Sequence, residues 1–87
     1  MAYTFEYITQ GTCSRLIKVT IENELIADIE FVGGCHGNLQ GITALAKGMP
    51  CEKVIQLLRG IRCGHKDTSC PDQLSKALLV AKENYHL

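Results

Sequence analysis

Three of the five cysteines in this chain of 87 residues lie where the backbone is expected to bend. Cys13 precedes a strand, Cys35 follows Gly33-Gly34 between a strand and a helix, and Cys70 starts the last helix. Thiols at loop ends can approach one another, whereas thiols in an apolar stripe pack as small hydrophobic side chains. Because thiolates bind metals and attack electrophiles, this pattern predicts a metal site or a site of thiol chemistry.

The expected position of Cys35 and Cys70 favours the thiolate. Each lies at or just before a helix N-terminus, where unpaired N–H groups and the helix dipole lower a thiol pKa. Cys13 reaches the same end of the sheet if its strand pairs antiparallel with the strand that ends at Gly33-Gly34. Glycines there let the backbone turn sharply and approach a ligand. We therefore expect Cys13, Cys35 and Cys70 to form one site.

A fourth ligand is needed for a tetrahedral metal site, and several side chains could supply it. Cys63 is the first candidate, with His36, His65 and Asp67 as alternatives. Zinc and iron–sulfur sites both accept thiolates together with imidazole or carboxylate, and the spacing is not that of a CxxC pair. The identity of the metal, zinc or an iron–sulfur cluster, therefore stays open at this point.

Cys51 differs from the other cysteines because it follows Pro50 at the start of a helix with an apolar stripe. A cysteine in that position usually packs as a small hydrophobic residue. We expect it to be structural.

Two kinds of periodicity divide the chain. The first 33 residues alternate with the period of two that half-buried strands show, and after Gly37 the period becomes helical. The expected inward sets are Tyr3, Phe5 and Tyr7 in the first strand, Ile17, Val19 and Ile21 in the second, and Leu25, Ala27, Ile29 and Phe31 in the third.

Capping signals set the expected helix limits. Asn38 is an N-cap candidate for the first helix, with Leu39, Ile42, Leu45, Ala46 and Met49 as its apolar stripe. Pro50 opens the second helix, and Ser69-x-x-Asp72 is typical of a capping box for the third. The sequence therefore predicts a single α+β domain over residues 1–87, with a three-stranded antiparallel sheet followed by three helices packed on one face.

Composition excludes several classes of function. Nine basic and nine acidic side chains cancel, and no long basic run is present, so a nucleic-acid partner is not expected. The apolar stretches are far shorter than the ~20 residues that span a bilayer, and no signal peptide is visible. An odd number of cysteines without secretion signals indicates a reducing compartment, so we expect a cytoplasmic protein.

The string Thr-Ser-Cys-Pro-Asp at residues 68–72 resembles the signature of the TSCPD domain. The resemblance extends to residues 31–38 and 61–64 and so covers nearly the whole chain. It implies a relative of the C-terminal domain of cobalamin-dependent ribonucleoside-diphosphate reductases, and hence a role in DNA synthesis. Since 87 residues cannot build a complete reductase, we expect an accessory module that binds metal, passes electrons or docks on the large enzyme, with no cobalamin on this chain. Whether it is an enzyme is left open.

The chain is also similar, more distantly, to NifU/IscU-type iron–sulfur scaffold proteins. Cys13, Cys35 and Cys70 match the three cysteine positions of that family, although Ser14-Arg15 and Ser69 stand where many scaffolds have Gly-Asp and His. This resemblance implies an iron–sulfur or zinc scaffold, or a sulfur-transfer protein, with a cysteine desulfurase as partner. A structural interaction module with a vestigial site is the third alternative.

Overall fold

A computed structural model describes residues 2–12, 14–34 and 36–85, without the side chains of His36 and Tyr85. Three strands come first: β1 (Ala2–Ile8), β2 (Ser14–Glu22) and β3 (Leu25–Gly33). Three helices follow: α1 (His36–Ala46), α2 (Cys51–Leu58) and α3 (Cys70–Tyr85). The predicted α+β order of three strands and three helices is confirmed.

The sheet is an antiparallel meander in the order β1-β2-β3. Asn23 and Glu24, with φ of 54° and 66°, form the two-residue turn between β2 and β3, as a type I′ hairpin requires. The predicted inward faces of β1 and β2 are confirmed, since Phe5 pairs with Val19 and both pack in the core.

The predicted inward face of β3 is wrong in its first half. The register shifts between Thr20 and Ile21, which pair with Asp28 and Ile26, so that Ala27 is an extra residue. This bulge turns Ile26 into the core and leaves Leu25 41% exposed.

One apolar cluster joins the sheet to the helices. Strand β2 packs against α3, whose buried stripe consists of Leu74, Ala77, Leu78 and Ala81. Helix α2 packs on α3, and α1 packs along β3. Within the part of the chain that the structure describes, no helix is both long enough and apolar enough to cross a membrane.

Helix α1 departs from the prediction in two ways. It begins at His36, so Asn38 lies in its first turn and is not the N-cap. Leu45 was expected in the buried stripe, but its side chain is 79% exposed, whereas Leu39 and Ala46 are buried.

Candidate functional site

Cys70 is the first residue of α3 and lies where that helix meets the start of β2. Its side chain is only 8% exposed, and its Sγ donates to the Oγ of Ser14 at 3.4 Å. Helix α3 buries its apolar stripe on β1 and β2, and this packing holds its N-terminus against Ser14. A thiol in this position benefits from the helix dipole and the unpaired amides of the first turn.

Ser14 is also the point where the ends of β2 and β3 meet. It pairs with Gly33 across the sheet. The next residue, Gly34, has φ of +87°, and a Cβ there would lie 3.2 Å from the Ser14 nitrogen and 2.9 Å from Leu39 Cδ1. Glycine is therefore required at position 34, and Ser14 is in contact with both the β3–α1 junction and Cys70.

Ser14 follows Cys13 in the sequence, and Gly34 precedes Cys35. The flanking residues of two predicted ligands thus meet beside Cys70, the third. Cys13 and Cys35 themselves lie outside the described residues, so their convergence with Cys70 stays a prediction.

Asp72 fixes the loop that precedes α3. Its Oδ1 accepts the backbone N–H of Gly60 at 2.7 Å, and its Oδ2 accepts the hydroxyl of Thr68 at 2.5 Å. Burial of this carboxyl opposes ionisation, but the hydrogen bonds from Thr68 and Gly60 and the ammonium of Lys76 outweigh it. Together they hold the pKa of Asp72 below its ordinary value of 3.8. The carboxylate is therefore charged, and its hydrogen bonds from Gly60 and Thr68 hold together the two ends of the loop over residues 60–68.

Two further bonds hold the middle of this loop. Ser69 donates its hydroxyl to the carbonyl of Ile61 at 2.6 Å, and the Cys63 N–H donates to the Thr68 carbonyl at 3.2 Å. The predicted capping box is half formed. The Asp72 N–H donates to Ser69 Oγ at 3.1 Å, whereas the Asp72 carboxylate binds Gly60 and Thr68.

Gln73 connects the same network to the loop between β1 and β2. Its Nε2 donates to Thr68 Oγ1 at 3.0 Å, and its Oε1 accepts the Gln10 N–H at 3.1 Å. Thr9 donates its hydroxyl to the Ser14 carbonyl at 2.5 Å. One turn of α3 therefore positions both loops that border Cys70.

The side chain of Cys63 is exposed and lines a small cavity together with Cys70. The cavity has a volume of about 20 Å³, and Thr12, Lys66 and Ser69 complete its lining. This space is enough for one ion or one water molecule, and the thiols of Cys63 and Cys70 border it. Zinc and iron–sulfur centres accept cysteine sulfur as a ligand, so these two side chains are compatible with a metal site.

The alternative fourth ligands are less favourably placed. His65 and Asp67 are exposed on the loop, and the side chain of His36 lies outside the described part of the chain. Among the described residues, no group of three or more histidine, cysteine or acidic side chains is arranged to hold a metal. Because Cys13 and Cys35 are not among them, the four-cysteine metal site stays a prediction.

Cys51 lies away from this site, in the apolar core, as predicted. Its N–H donates to the Glu24 carbonyl at the β2–β3 turn, whereas Cys70 contacts the opposite end of β2. Strand β2 has nine residues, so its two ends are roughly 25 Å apart. Burial raises the pKa of the Cys51 thiol, which favours its neutral form.

Reasoning from sequence missed Ser14, Thr12, Lys66 and Gln73 as neighbours of the cysteines. Ser14 and Thr12 flank Cys13, and Gln73 lies one turn after Cys70. Each of these residues lies within three positions of a cysteine, and this proximity could have marked them as candidates. Which of them face the site, however, depends on how α3 docks on the sheet.

The fold and the site define a small α+β domain in which Cys63 and Cys70 line one cavity at the N-terminus of the last helix. The family model of the TSCPD domain matches residues 1–82, and the chain belongs to this family. No curated protein and no solved structure gives a significant match.

Proposed function

We propose that this chain is a metal- or thiol-bearing module whose site is formed by Cys13, Cys35, Cys70 and Cys63. The observation that carries the proposal is the contact between Cys70 and Ser14, the residue after Cys13. Gly34, which precedes Cys35, is packed against the same serine, and Cys63 shares a cavity with Cys70. Cys63 and Cys70 thus lie at one place in the fold. Ser14 and Gly34, the sequence neighbours of Cys13 and Cys35, lie at the same place.

The residues around the thiols suit metal binding. The N-terminus of α3 favours the thiolate of Cys70, and the Asp72 network holds the loop that carries Cys63. A bound zinc or iron–sulfur centre would supply a fixed geometry for the thiolates, and an iron–sulfur centre would also supply electron transfer.

We further propose that the module assists a larger enzyme of the ribonucleoside-diphosphate reductase type in the cytoplasm. Support comes from membership of the TSCPD family and its relation to the C-terminal domain of those reductases. A chain of 87 residues has room for a thiol site but not for nucleotide, cobalamin and radical chemistry together. The partner of such a module is a protein.

Elemental analysis of protein purified without an affinity tag or chelator tests the metal site. About one equivalent of zinc supports a single zinc centre, and iron with acid-labile sulfide supports an iron–sulfur scaffold of the NifU/IscU type. Single serine substitutions at Cys13, Cys35, Cys63 and Cys70 should lower the metal content.

Cys51→Ser is the matched control, because it removes a thiol at the far end of β2 and should leave the metal content unchanged. Equal metal loss in Cys51→Ser and Cys70→Ser would contradict the site. Absence of metal from protein prepared anaerobically would leave thiol chemistry as the function of the cysteines.

A further inference from the structure

The outer side of α1 forms an apolar groove that ends at the candidate site. One cavity of about 490 Å³ is lined by Leu39, Ile42 and Leu45 on one side and by Cys63, Cys70 and Pro71 on the other. A second cavity of about 160 Å³ continues between α1 and α2, and Ile42 and Leu45 line both. We call this continuous surface the α1 groove.

Large apolar side chains are exposed along the groove. Leu45 is 79% exposed at its center, and Leu57 and Ile61 are exposed at its α2 end and on the adjoining loop. Water contact with several large apolar side chains in one place is unfavourable in an isolated protein and marks interaction surfaces.

Two glycines widen the groove. Gly37 and Gly41 lie one turn apart on α1 and border the larger cavity, and a Cβ at either position would meet nothing within 4 Å among the residues that the structure describes. Within a helix, only proline is less favourable than glycine. The open space beside α1 therefore has no packing role in the described structure, and it allows another backbone to approach closely.

The loop beside the groove is positively charged. Arg59, Arg62 and Lys66 are exposed, and none of the ion pairs among the described residues uses them. Arg59 follows Leu58 of the second cavity, Arg62 precedes Cys63, and Lys66 lines the small cavity with both thiols. Asp67 is the one carboxylate among residues 59–67, so the loop keeps a net positive charge, and since the whole chain is neutral the remainder carries an excess of carboxylates.

We propose that the α1 groove binds an acidic amphipathic segment of a protein partner. The apolar side chains of the bound segment would cover Leu45 and Ile42, and the carboxylates of the segment would pair with Arg62 and Lys66. The inference rests on the proposed function in one respect: the groove ends at Cys63 and Cys70, so a bound segment lies against the thiols.

Other occupants suit the groove less well. Three cations on one loop are few for a nucleic-acid backbone, and an apolar floor offers nothing to phosphates. A two-fold dimer through the groove would bring each basic loop to a copy of the same surface, and none of the described residues that line this surface is a carboxylate. An acidic, partly apolar peptide would complement both the apolar lining of the groove and the basic side chains of the loop beside it.

The first experiment titrates the full chain with a synthetic peptide of about 15 residues, in which leucines recur at i, i+3, i+4 and i+7 between glutamates. Amide chemical shifts should change in α1 and over residues 57–63 in a saturable way. A peptide with lysines in place of the glutamates, and a scrambled acidic peptide, should give no saturable change.

The second experiment uses paired variants. Arg62→Glu with Lys66→Glu replaces two attractions by repulsions, so we expect the Kd to rise about tenfold. Lys18→Glu with Lys82→Glu makes the same change in net charge at residues that line neither cavity of the groove, and it should alter the Kd less than about twofold. Leu45→Ser should weaken binding about tenfold, whereas Ile8→Ser, at a residue with similar exposure on β1, should not.

Several results would overturn the proposal: no saturable binding of the acidic peptide, equal losses in the paired variants, or a concentration-dependent dimer that Leu45→Ser dissociates. Metal content separates this proposal from the proposed function. Leu45→Ser, at a residue that does not line the small cavity between Cys63 and Cys70, should retain the metal of the parent protein, so loss of peptide binding alone leaves the metal site standing.

Discussion

The sulfur of Cys70 lies 3.4 Å from the hydroxyl oxygen of Ser14, although 56 positions separate the two residues in the chain. This contact joins the first turn of α3 to the first residue of β2. Neither element forms this contact by itself, because it depends on the docking of α3 on the sheet. Substitutions that disturb this docking should therefore change the position of the Cys70 thiol relative to Ser14, even where the substituted residue does not contact Cys70.

Asp72→Ala should destabilise the protein by about 3 kcal/mol, because it leaves the Gly60 N–H and the Thr68 hydroxyl without their charged acceptor. Urea unfolding followed by circular dichroism measures the change. Asp67→Ala removes an exposed carboxylate from the same loop and should change the free energy of unfolding by less than about 0.5 kcal/mol. Similar losses in both variants would mean that the Asp72 hydrogen bonds contribute no specific stability.

Alkylation rates should separate the cysteines by exposure. In reduced, metal-free protein, Cys63 should react with iodoacetamide before Cys51, since Cys63 is exposed and Cys51 is buried in the core with a raised pKa. Mass spectrometry of peptides from a time course gives the order. A Cys51 that reacts as fast as Cys63 would show that the α2 end of the core opens readily.

Cys51 should also make stability depend on alkaline pH. Because its folded-state pKa lies above the ordinary value of 9.0, the folded protein holds this proton more tightly than the unfolded chain. The corresponding stability is fully present below the ordinary pKa and is lost as the pH rises through the folded pKa. As the pH rises above about 9, the urea midpoint should fall more steeply in the parent than in Cys51→Ala.

Cys63→Ala is the matched control for this pH dependence and should retain the slope of the parent protein. If the urea midpoints of Cys51→Ala and the parent fall equally with rising pH, groups other than Cys51 account for the loss of stability at alkaline pH.

Gly34→Ala should destabilise the protein more than Gly48→Ala. Both glycines have positive φ, so both variants share a strain of about 1–2 kcal/mol. Only at Gly34 would the new Cβ press on the Ser14 backbone and on Leu39, whereas nothing lies within 4 Å at Gly48. We expect a further loss of about 1–3 kcal/mol at Gly34 by thermal unfolding. Equal melting temperatures would show that the β3–α1 junction can relax.

Local patterns were enough to predict most of the fold. Alternation in β1 and β2 and the Ser69 cap of α3 depend on residues close in sequence, and the structure has them as expected. The inward face of β3 could not be predicted in full, because the bulge at Ala27 arises from pairing with β2. Leu45 matches a helical stripe, but α1 packs on β3 through Leu39 and Ala46, which leaves Leu45 outside the core.

The candidate site was predictable only as a set of cysteines. Helix-start signals place Cys70 correctly, since they are local. The hydrogen bonds of Asp72 to Gly60 and of Gln73 to Gln10 span 12 and 63 positions and depend on tertiary packing. The capping-box pattern even suggested another partner for Asp72, because a local bond and a longer-range bond compete for one carboxylate.

The meander order of the sheet has a consequence for the order of folding. The pairings of β1 with β2 and of β2 with β3 lie within residues 2–33 and close short loops, whereas the Ser14–Cys70 contact closes a long one. During synthesis the sheet can therefore pair before α3 has left the ribosome. The contacts around Cys70 can form only after α3 has been synthesised, because they join the first turn of that helix to the start of β2.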